Sequence, residues 1–420
     1  MMNINKCSYC IFPLLLALSA VVFADGIESI ENKIDWSART RYAEYSGEES
    51  ARAASLLLRL NVDTHWNETI SSFVQLDDVT RGFKSQHSDG VDLNGKPVIP
   101  DAEGFDVNQA YLGLNFDSVK FQLGRQRINL DDQRFIGGNG FWQNEQTFDA
   151  ALAKIKFLNN SQVTYAYIDN VNRIFGNKAD KDITTITGGN GDYPPTATTT
   201  ERPAGILGEH KHHTNIAQFD FKEWDYSEVI AYAYAIDNLT LPSASNNTLG
   251  ANYTFNYKAD VLKYRVKVEY ALQKQPELND SPLLPYYLLD AGIGINHIEF
   301  AGRYEILSHK DGVNFIAPLG SSHDFQGLAN QMSNYAANGI KDASFNITWR
   351  DAPFKIESQY HRFNSYTSNN FIAQELDLSF SYKPTRKHAV TLLFAYFKPD
   401  AYTIQKDDTR HVYLDYAYNF

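Results

Sequence analysis

Cysteine is almost missing from this 420-residue chain: there are two, Cys7 and Cys10, and both precede the first apolar stretch. The chain downstream can form no disulfide, which suits passage through an oxidising compartment without cross-linking. Basic charge is also in short supply, with 38 Lys and Arg against 50 Asp and Glu, a formal charge of −12 and a pI near 5.4. That excludes a nucleic-acid binder with a wholly basic surface, but it leaves room for a local basic passage. Long hydrophobic runs are absent after residue 24, where nothing approaches the ~20 apolar residues of a membrane helix. No repeat of fixed period appears, so a propeller or β-helix lacks its signature. No phosphate-binding loop or G-x-S-x-G nucleophile motif is present. Aromatics, by contrast, are plentiful: 26 Tyr and 26 Phe help bring them to 14%, far above what a disordered chain carries.

Residues 1–24 read as a signal peptide. Lys6 gives a positive start, Ile11 to Phe23 is apolar but too short to span a bilayer, and Val22-Phe23-Ala24 places small residues where cleavage before Asp25 is expected. A lipid-anchoring cysteine would follow the apolar stretch, and none does. Residues 25–420 are expected to form one domain.

That domain alternates apolar and polar residues with a period of two, the mark of strands. Val412, Leu414, Tyr416, Tyr418 and Phe420 fall on one face, opposite His411, Tyr413, Asp415, Ala417 and Asn419. Leu262, Tyr264, Val266, Val268 and Tyr270 oppose Lys263, Arg265, Lys267 and Glu269, and Leu56, Leu58, Leu60 and Val62 oppose Leu57, Arg59, Asn61 and Asp63. About eighteen such segments can be marked, from 34–45 and 52–65 to 387–399 and 409–420. Each has the length that crosses a bilayer at a tilt. Tight turns such as Asn67-Glu68, Asp117-Ser118 and Ala259-Asp260 alternate with long connections near 79–104, 129–146, 172–212, 275–284 and 309–337. This predicts an all-β, antiparallel transmembrane barrel of about 18 strands, with short periplasmic turns, long extracellular loops and both ends on the periplasmic side.

Several segments resemble the alginate-export family of outer-membrane barrels. They are Gly124-Arg125-Gln126-Arg127 running on through Asp131-Asp132-Gln133-Arg134-Phe135 to Gly140; Asn144-Glu145-Gln146-Thr147-Phe148-Asp149-Ala150; His323-Asp324-Phe325-Gln326-Gly327; and Glu375-Leu376-Asp377-Leu378 with the ending Tyr416-Ala417-Tyr418-Asn419-Phe420. The resemblance implies an 18-stranded, monomeric, porin-like channel in a Gram-negative outer membrane. The ending resembles the signal read by the outer-membrane assembly machinery, with Phe420 as its terminal aromatic. The His-Asp-Phe-Gln-Gly block continues here as Leu328-Ala329-Asn330, a departure from the family pattern.

A water-filled barrel selects by width and lining charge. Alternation puts Lys263, Arg265 and Lys267 on the lumen side of one strand and Arg39 and Arg41 on that of the first. Lys154, Lys156, Arg59, Arg303 and Arg350 add to them. These predict an anion-favouring passage, since Arg holds carboxylates bidentately. The alternative is that they pair with Asp63, Glu269, Glu299, Glu305, Glu375 and Asp377 and only stiffen the wall. Arg125 and Arg127 follow the lipid-facing parity of Phe121 and Leu123. Either a bulge at Gly124 resets the phase or both arginines lie at the rim. The segment from Ile128 to Gln146 is expected to fold inward, with Gly137-Gly138-Asn139-Gly140 allowing sharp turns and Arg134 with Asp131 and Asp132 pinning it by ion pairs; the alternative is a disordered outer loop.

His210, His212 and His213 have donors that suit zinc or nickel, but with at most Glu209 to complete a site they read as loop composition. Asp89, Asp92, Asp101 and Glu103 read as solvated surface, and Thr184 to Thr200 as an exposed loop. No metal or cofactor is expected. The function read from the sequence is a channel for hydrophilic, anionic solutes or oligo- and polysaccharides, embedded in outer-membrane lipid and without nucleic-acid partners. The alternatives are an adhesin or scaffold working through the outer loops, and an outer-membrane enzyme. Ser358 and His361 are the nearest approach to catalytic chemistry, and three positions along a strand put them on opposite faces.

Overall fold

Residues that alternate between greasy and polar cannot present one uniform stripe from a helix, but they divide cleanly between the two faces of a sheet. The computed structural model describes residues 30–420 apart from 83–84, 93, 181–203, 279, 333–337 and 401–406. The expected leader and the Thr184 to Thr200 segment lie outside these residues. The described chain forms β1 Glu31–Ser46, β2 Ala51–His65, β3 Ile70–Arg81, β4 Gly104–Asn115, β5 Val119–Gln126, β6 Thr147–Lys156, β7 Gln162–Asn172, β8 Glu209–Trp224, β9 Ser227–Ile236 and β10 Asn246–Lys258. It continues with β11 Leu262–Lys274, β12 Leu284–Ile295, β13 Ile298–Leu307, the short β14 His309–Lys310 and β15 Val313–Asn314, then β16 Ile340–Asp351, β17 Phe354–Ser365, β18 Phe371–Tyr382, β19 His388–Pro399 and β20 Thr409–Asn419.

Every strand except β14 and β15 belongs to one 18-stranded antiparallel sheet. The sheet closes because β1 pairs with β2 on one side and β20 on the other, with Ser37 facing Asn419 and Ser46 facing Arg410. Closure leaves no unpaired edge, which is the condition for a sheet to cross hydrocarbon. The eighteen segments marked in the sequence are these strands, to within a few residues at their ends.

Burial is inverted relative to a water-soluble protein. Leu249, Leu123 and Leu289 are 65%, 63% and 50% exposed, while Glu375, Glu305 and Asp342 are buried. Large apolar side chains on the outer face belong against lipid, and the charges belong inside. The start of β1 and the end of β20 lie at the end of the barrel with tight turns, where Tyr226 and Asn296 take positive φ values of 63° and 52° in two-residue connections. The amide of Phe420 donates to the Trp36 carbonyl (2.9 Å), which ties the terminal aromatic to β1.

The long connections at the other end do not all stay outside. Strand β5 has only eight residues, and after Gln126 the chain turns into the lumen. The inner faces of β6 to β9 and β12 carry Phe148, Ile168, Ile216, Tyr232, Tyr234 and Leu288, which water would otherwise wet. Ile128, Leu130, Phe135 and Ile136 of the incoming segment cover them in one apolar cluster. Burying four such side chains contributes on the order of 6–12 kcal/mol, as an upper bound. This is why residues 127–146 form a fixed inner strap.

Candidate functional site: the lumen and its constriction

A second inward strap, residues 308–332, meets the first across the lumen. Ile136 and Leu319 form a parallel bridge. The Gly137 amide donates to the Leu319 carbonyl (2.9 Å) and the Ser321 amide to the Gln133 carbonyl (3.0 Å). Gln146 Nε2 donates to the carbonyls of Gly137 (2.8 Å) and Leu319 (3.0 Å). The backbones come so close that a Cβ at Gly320 would collide with the Arg134 carbonyl. An open vestibule of about 430 Å³ borders these joined straps, between Arg173, His210, Asn238, Phe315 and Gln326.

The first strap is held by the wall cations. Arg39 of β1 donates from Nε to Gln143 Oε1 (2.7 Å), from Nη1 to the Gly140 carbonyl (3.2 Å) and from Nη2 to the Trp142 carbonyl. Arg41 grips Asp415 of β20 bidentately (2.8 and 2.7 Å), and Asp101 lies 3.6 Å away. Glu145 is a hub: it accepts from Arg59 (2.8 Å), from Arg127 Nε (2.6 Å) and from Asn108, while Arg59 also holds Asp77. Burial opposes the Glu145 charge, but Arg127 and Arg59 overrule it and hold the carboxyl below the usual carboxylate range.

The opposite side of the constriction carries acid. Lys267 of β11 donates to Asp131 (2.6 Å) and Asp132 (2.9 Å) and lies 3.5 Å from Glu269. These three carboxylates are close enough to share a cation, and the Lys267 ammonium occupies the place between them. Burial works against both aspartates. Lys267 and Arg303 pull Asp132 below its ordinary value, whereas burial and the Asp132 charge push Asp131 above its own.

Arg134 corrects one expectation. It pairs with Glu305 of β13 (2.6 Å) rather than with Asp131 or Asp132; its own amide donates to Asp132 Oδ1 (3.1 Å). Phe325 of the second strap sits between the guanidiniums of Arg134 (4.8 Å) and Arg303 (5.1 Å). Strand pairing shows no register shift at Gly124, whose φ is +127°; the shifts in this part of the wall lie at Asn108 on β4 and Asp169 on β7. Arg125 therefore keeps the outward parity of Phe121 and Leu123 on the last rungs of β5. It bonds Asp149 (2.8 Å) and the Val107 carbonyl (3.1 Å). Arg127, already in the strap, turns inward to Glu145.

Along β11 the inner face reads Lys263, Arg265, Lys267, Glu269. Arg265 pairs with Asp290 (2.8 Å) and lies 3.6 Å from Glu299, and Arg303 lies 3.8 Å from Asp290 and 3.7 Å from Glu305. The ladder is thus largely neutralised at mid-height. Near the tight-turn end it is not. Lys120 faces Lys154 across β5 and β6, and Lys258 faces Lys263 across β10 and β11. None of the four has an ion-pair partner among the described residues.

Two motifs marked in the sequence meet in space. Gly327, at φ +90°, lies against Glu375; the Leu328 amide donates to Asp377 (3.2 Å) and the Ala329 amide to Glu375 (2.7 Å). His361 bonds Asp342 (2.9 Å) beside them, while Ser358 has the opposite, outward parity. His323 stacks on Phe141, and burial beside Arg41 pushes its imidazole down to about 3, so it is neutral. Reading the sequence assigned no role to Glu145, Gln143 or Asp342; the Asn144-Glu145-Gln146 block was the signal for Glu145 alone.

The histidines do not converge on a metal. His210 is engaged by the Ala204 carbonyl (2.7 Å) and by Asn238 (2.9 Å), His212 by Thr214 (2.9 Å), and His213 has the opposite parity, 3.9 Å from Asp237. Asp89 and Asp101 correct the solvated-surface expectation, because both are buried: Asp89 binds Arg81 and the amides of Val91 and Asp92, and Asp101 lies beside Arg41, while Asp92 and Glu103 are exposed.

The family model described as alginate export matches residues 36–169, from β1 into β7. No match to a curated protein sequence is found. Among solved structures, Acinetobacter baumannii OccAB4 is similar, with a TM-score of 0.71 at 10% identity over 93% of this chain and 98% of that one. Pseudomonas aeruginosa OpdQ gives 0.65 at 12% over 93% and 99%, and OccK7 (OpdD) of the same organism 0.63 at 12% over 95% and 99%. Sealed sheet, inverted burial and inward straps agree with these likenesses: the chain is a closed 18-stranded antiparallel β-barrel whose residues 36–169 are similar to the alginate-export family.

Proposed function

We propose that this barrel is a porin-like passive channel that passes hydrophilic, anionic solutes, with acidic oligo- or polysaccharides as the family description would have it. The observation that carries the anionic part is the pair of like-charged lysines at the tight-turn mouth. Like charges placed directly opposite across a sheet are unfavourable, and Lys120–Lys154 and Lys258–Lys263 repeat that cost at two places on the inner face. A passage that draws anions through explains it. Arg39, Arg59 and Arg127 line one wall of the constriction and keep the basic track continuous past the straps. Strap burial and paired backbones fix its width, so selection by size and by charge act at the same level.

Purified protein in planar bilayers should give discrete conductance steps, with a reversal potential in a potassium chloride gradient that favours the anion. Neutralising Lys120, Lys154 and Lys263 to Gln should move that potential toward the cation. Absence of steps would remove the channel; an unmoved potential would remove the anion selectivity and leave the channel.

A further inference from the structure

The outer face carries its own charge pattern, independent of the lumen. On the arc from β16 to β20, each strand reads apolar or aromatic upward from the tight-turn end. Ile356, Leu376, Leu378, Leu392 and Leu414 are exposed in that band. Tyr360 on β17 and Tyr396 on β19 close the band at the loop end, and such aromatics mark the membrane–water interface. The next outward positions above these tyrosines are cations: Arg362 on β17 and Lys398 on β19, with Arg410 of β20 directly opposite Tyr396. Register sets them at one height, because Arg362 faces Gln374 and Gln374 faces Lys398.

These cations are positioned without being neutralised. The Arg362 guanidinium lies over Phe371 (4.5 Å) and that of Arg410 over Tyr396 (5.6 Å). Among the described residues, none of the three has a carboxylate ion pair. Tyr396 donates to Asp408. On the other side of the rim Arg125–Asp149 (2.8 Å), Lys211–Glu209 (3.2 Å) and Lys178–Glu103 (3.5 Å) are paired, whereas Lys274 at the loop end of β11 has no ion pair among the described residues.

We propose that this arc is a binding surface for the phosphorylated headgroup of the outer-leaflet glycolipid. The ring-held guanidiniums supply fixed forks for phosphate oxygens, Lys398 supplies a point charge, and the tyrosines and leucines below receive the first part of the acyl chains. A chain of net charge −12 that gathers three cations without carboxylate partners, two of them held over rings, at headgroup height on β17, β19 and β20 has charge complementarity to an anionic lipid there.

The test uses the full-length refolded barrel in detergent, with native mass spectrometry and bisphosphorylated lipid A as the probe. Wild type should retain lipid A, and Arg362→Gln, Lys398→Gln and Arg410→Gln combined should weaken it at least ten-fold. The unphosphorylated lipid should bind no better than the combined variant does. A matched change on the opposite side, Lys211→Gln with Lys178→Gln, should leave binding within two-fold. Heat-modifiable migration on gels checks that each variant is folded, and the three single substitutions, each expected to give a partial loss, serve if the combined one is not. Equal binding by wild type and the variants, equal binding of unphosphorylated lipid, or an equal loss from the opposite-side pair would overturn the proposal. So would displacement by an equal concentration of inorganic phosphate, which would show a free-anion site instead.

Discussion

Replacing Lys267 by Met tests the acidic side of the constriction. The ammonium stands between Asp131, Asp132 and Glu269. Removing one partner of a buried ion pair costs about 3–5 kcal/mol. The Asp131 and Asp132 side chains are 22% and 30% exposed, so water recovers part of that, and ~2–3 kcal/mol is left to weaken docking of the first strap. Apolar burial keeps the strap inside on average, but excursions to a wider pore should become roughly 30- to 150-fold more frequent at 1.4 kcal/mol per decade. The assay is single-channel recording in a salt gradient, counting enlarged-conductance events and reading the reversal potential, which should move toward the cation. Acid should reverse the first effect. Asp131 is held above its ordinary value, so the docked strap binds that proton more tightly than the free strap, and docking strengthens as pH falls through the raised value. Asp132 works the other way: its contribution is full above the ordinary carboxylate pKa and is lost only as pH falls through its depressed one. Lys267, the first cause of that depression, is gone in the variant, so acidification of the variant should lower event frequency, whereas strong acidification of the wild type should raise it. Unchanged event frequency in the variant, or a rise on mild acidification, would refute the reasoning; Lys267→Arg should behave as wild type.

Glu145→Gln removes the negative charge between Arg59 and Arg127 and should raise anion over cation permeability roughly two- to four-fold, from about 0.5–0.8 kcal/mol for a unit charge 5–8 Å from a passing ion in water; reversal potentials read it. Gly327→Ala puts a Cβ into the Glu375 carboxylate at a positive φ. It should cost about 2–4 kcal/mol of strap docking through strain and two weakened charge-assisted bonds, seen as faster proteolysis within 308–332 on intact cells. Leu289→Arg, on the lipid face, should destabilise the barrel by about 2–4 kcal/mol in denaturant titrations in vesicles, whereas Thr254→Val in the lumen should change it by less than about 1 kcal/mol.

The barrel was legible because a sheet with lipid on one side and water on the other writes a period of two into every strand, and β11 and β20 show it without interruption. The inward turn of 127–146 was legible from Gly137 to Gly140 and from the parity conflict at Arg125. Its anchors were not. Arg134 finds Glu305, 171 positions away, and nearby Asp131 and Asp132 are a closer sequence match but point to Lys267. Long-range ion pairs carry no local spacing for a reader to detect. The second strap left a trace in the His-Asp-Phe-Gln-Gly and Glu-Leu-Asp-Leu blocks, whose meeting at Gly327 and Glu375 depends on the closed register of the wall. The phase shifts at Asn108 and Asp169 are invisible in alternation because each adds a residue that keeps a plausible face.

The bridge between Ile136 and Leu319 makes the aperture a property of two chain segments leaning on each other. Shortening either one deprives the other of its support, so the bore should enlarge in a single jump instead of by degrees. A lineage that changes its cargo size by this route has to alter both segments together, and a drug designer seeking to prop the pore open needs a wedge at that one seam.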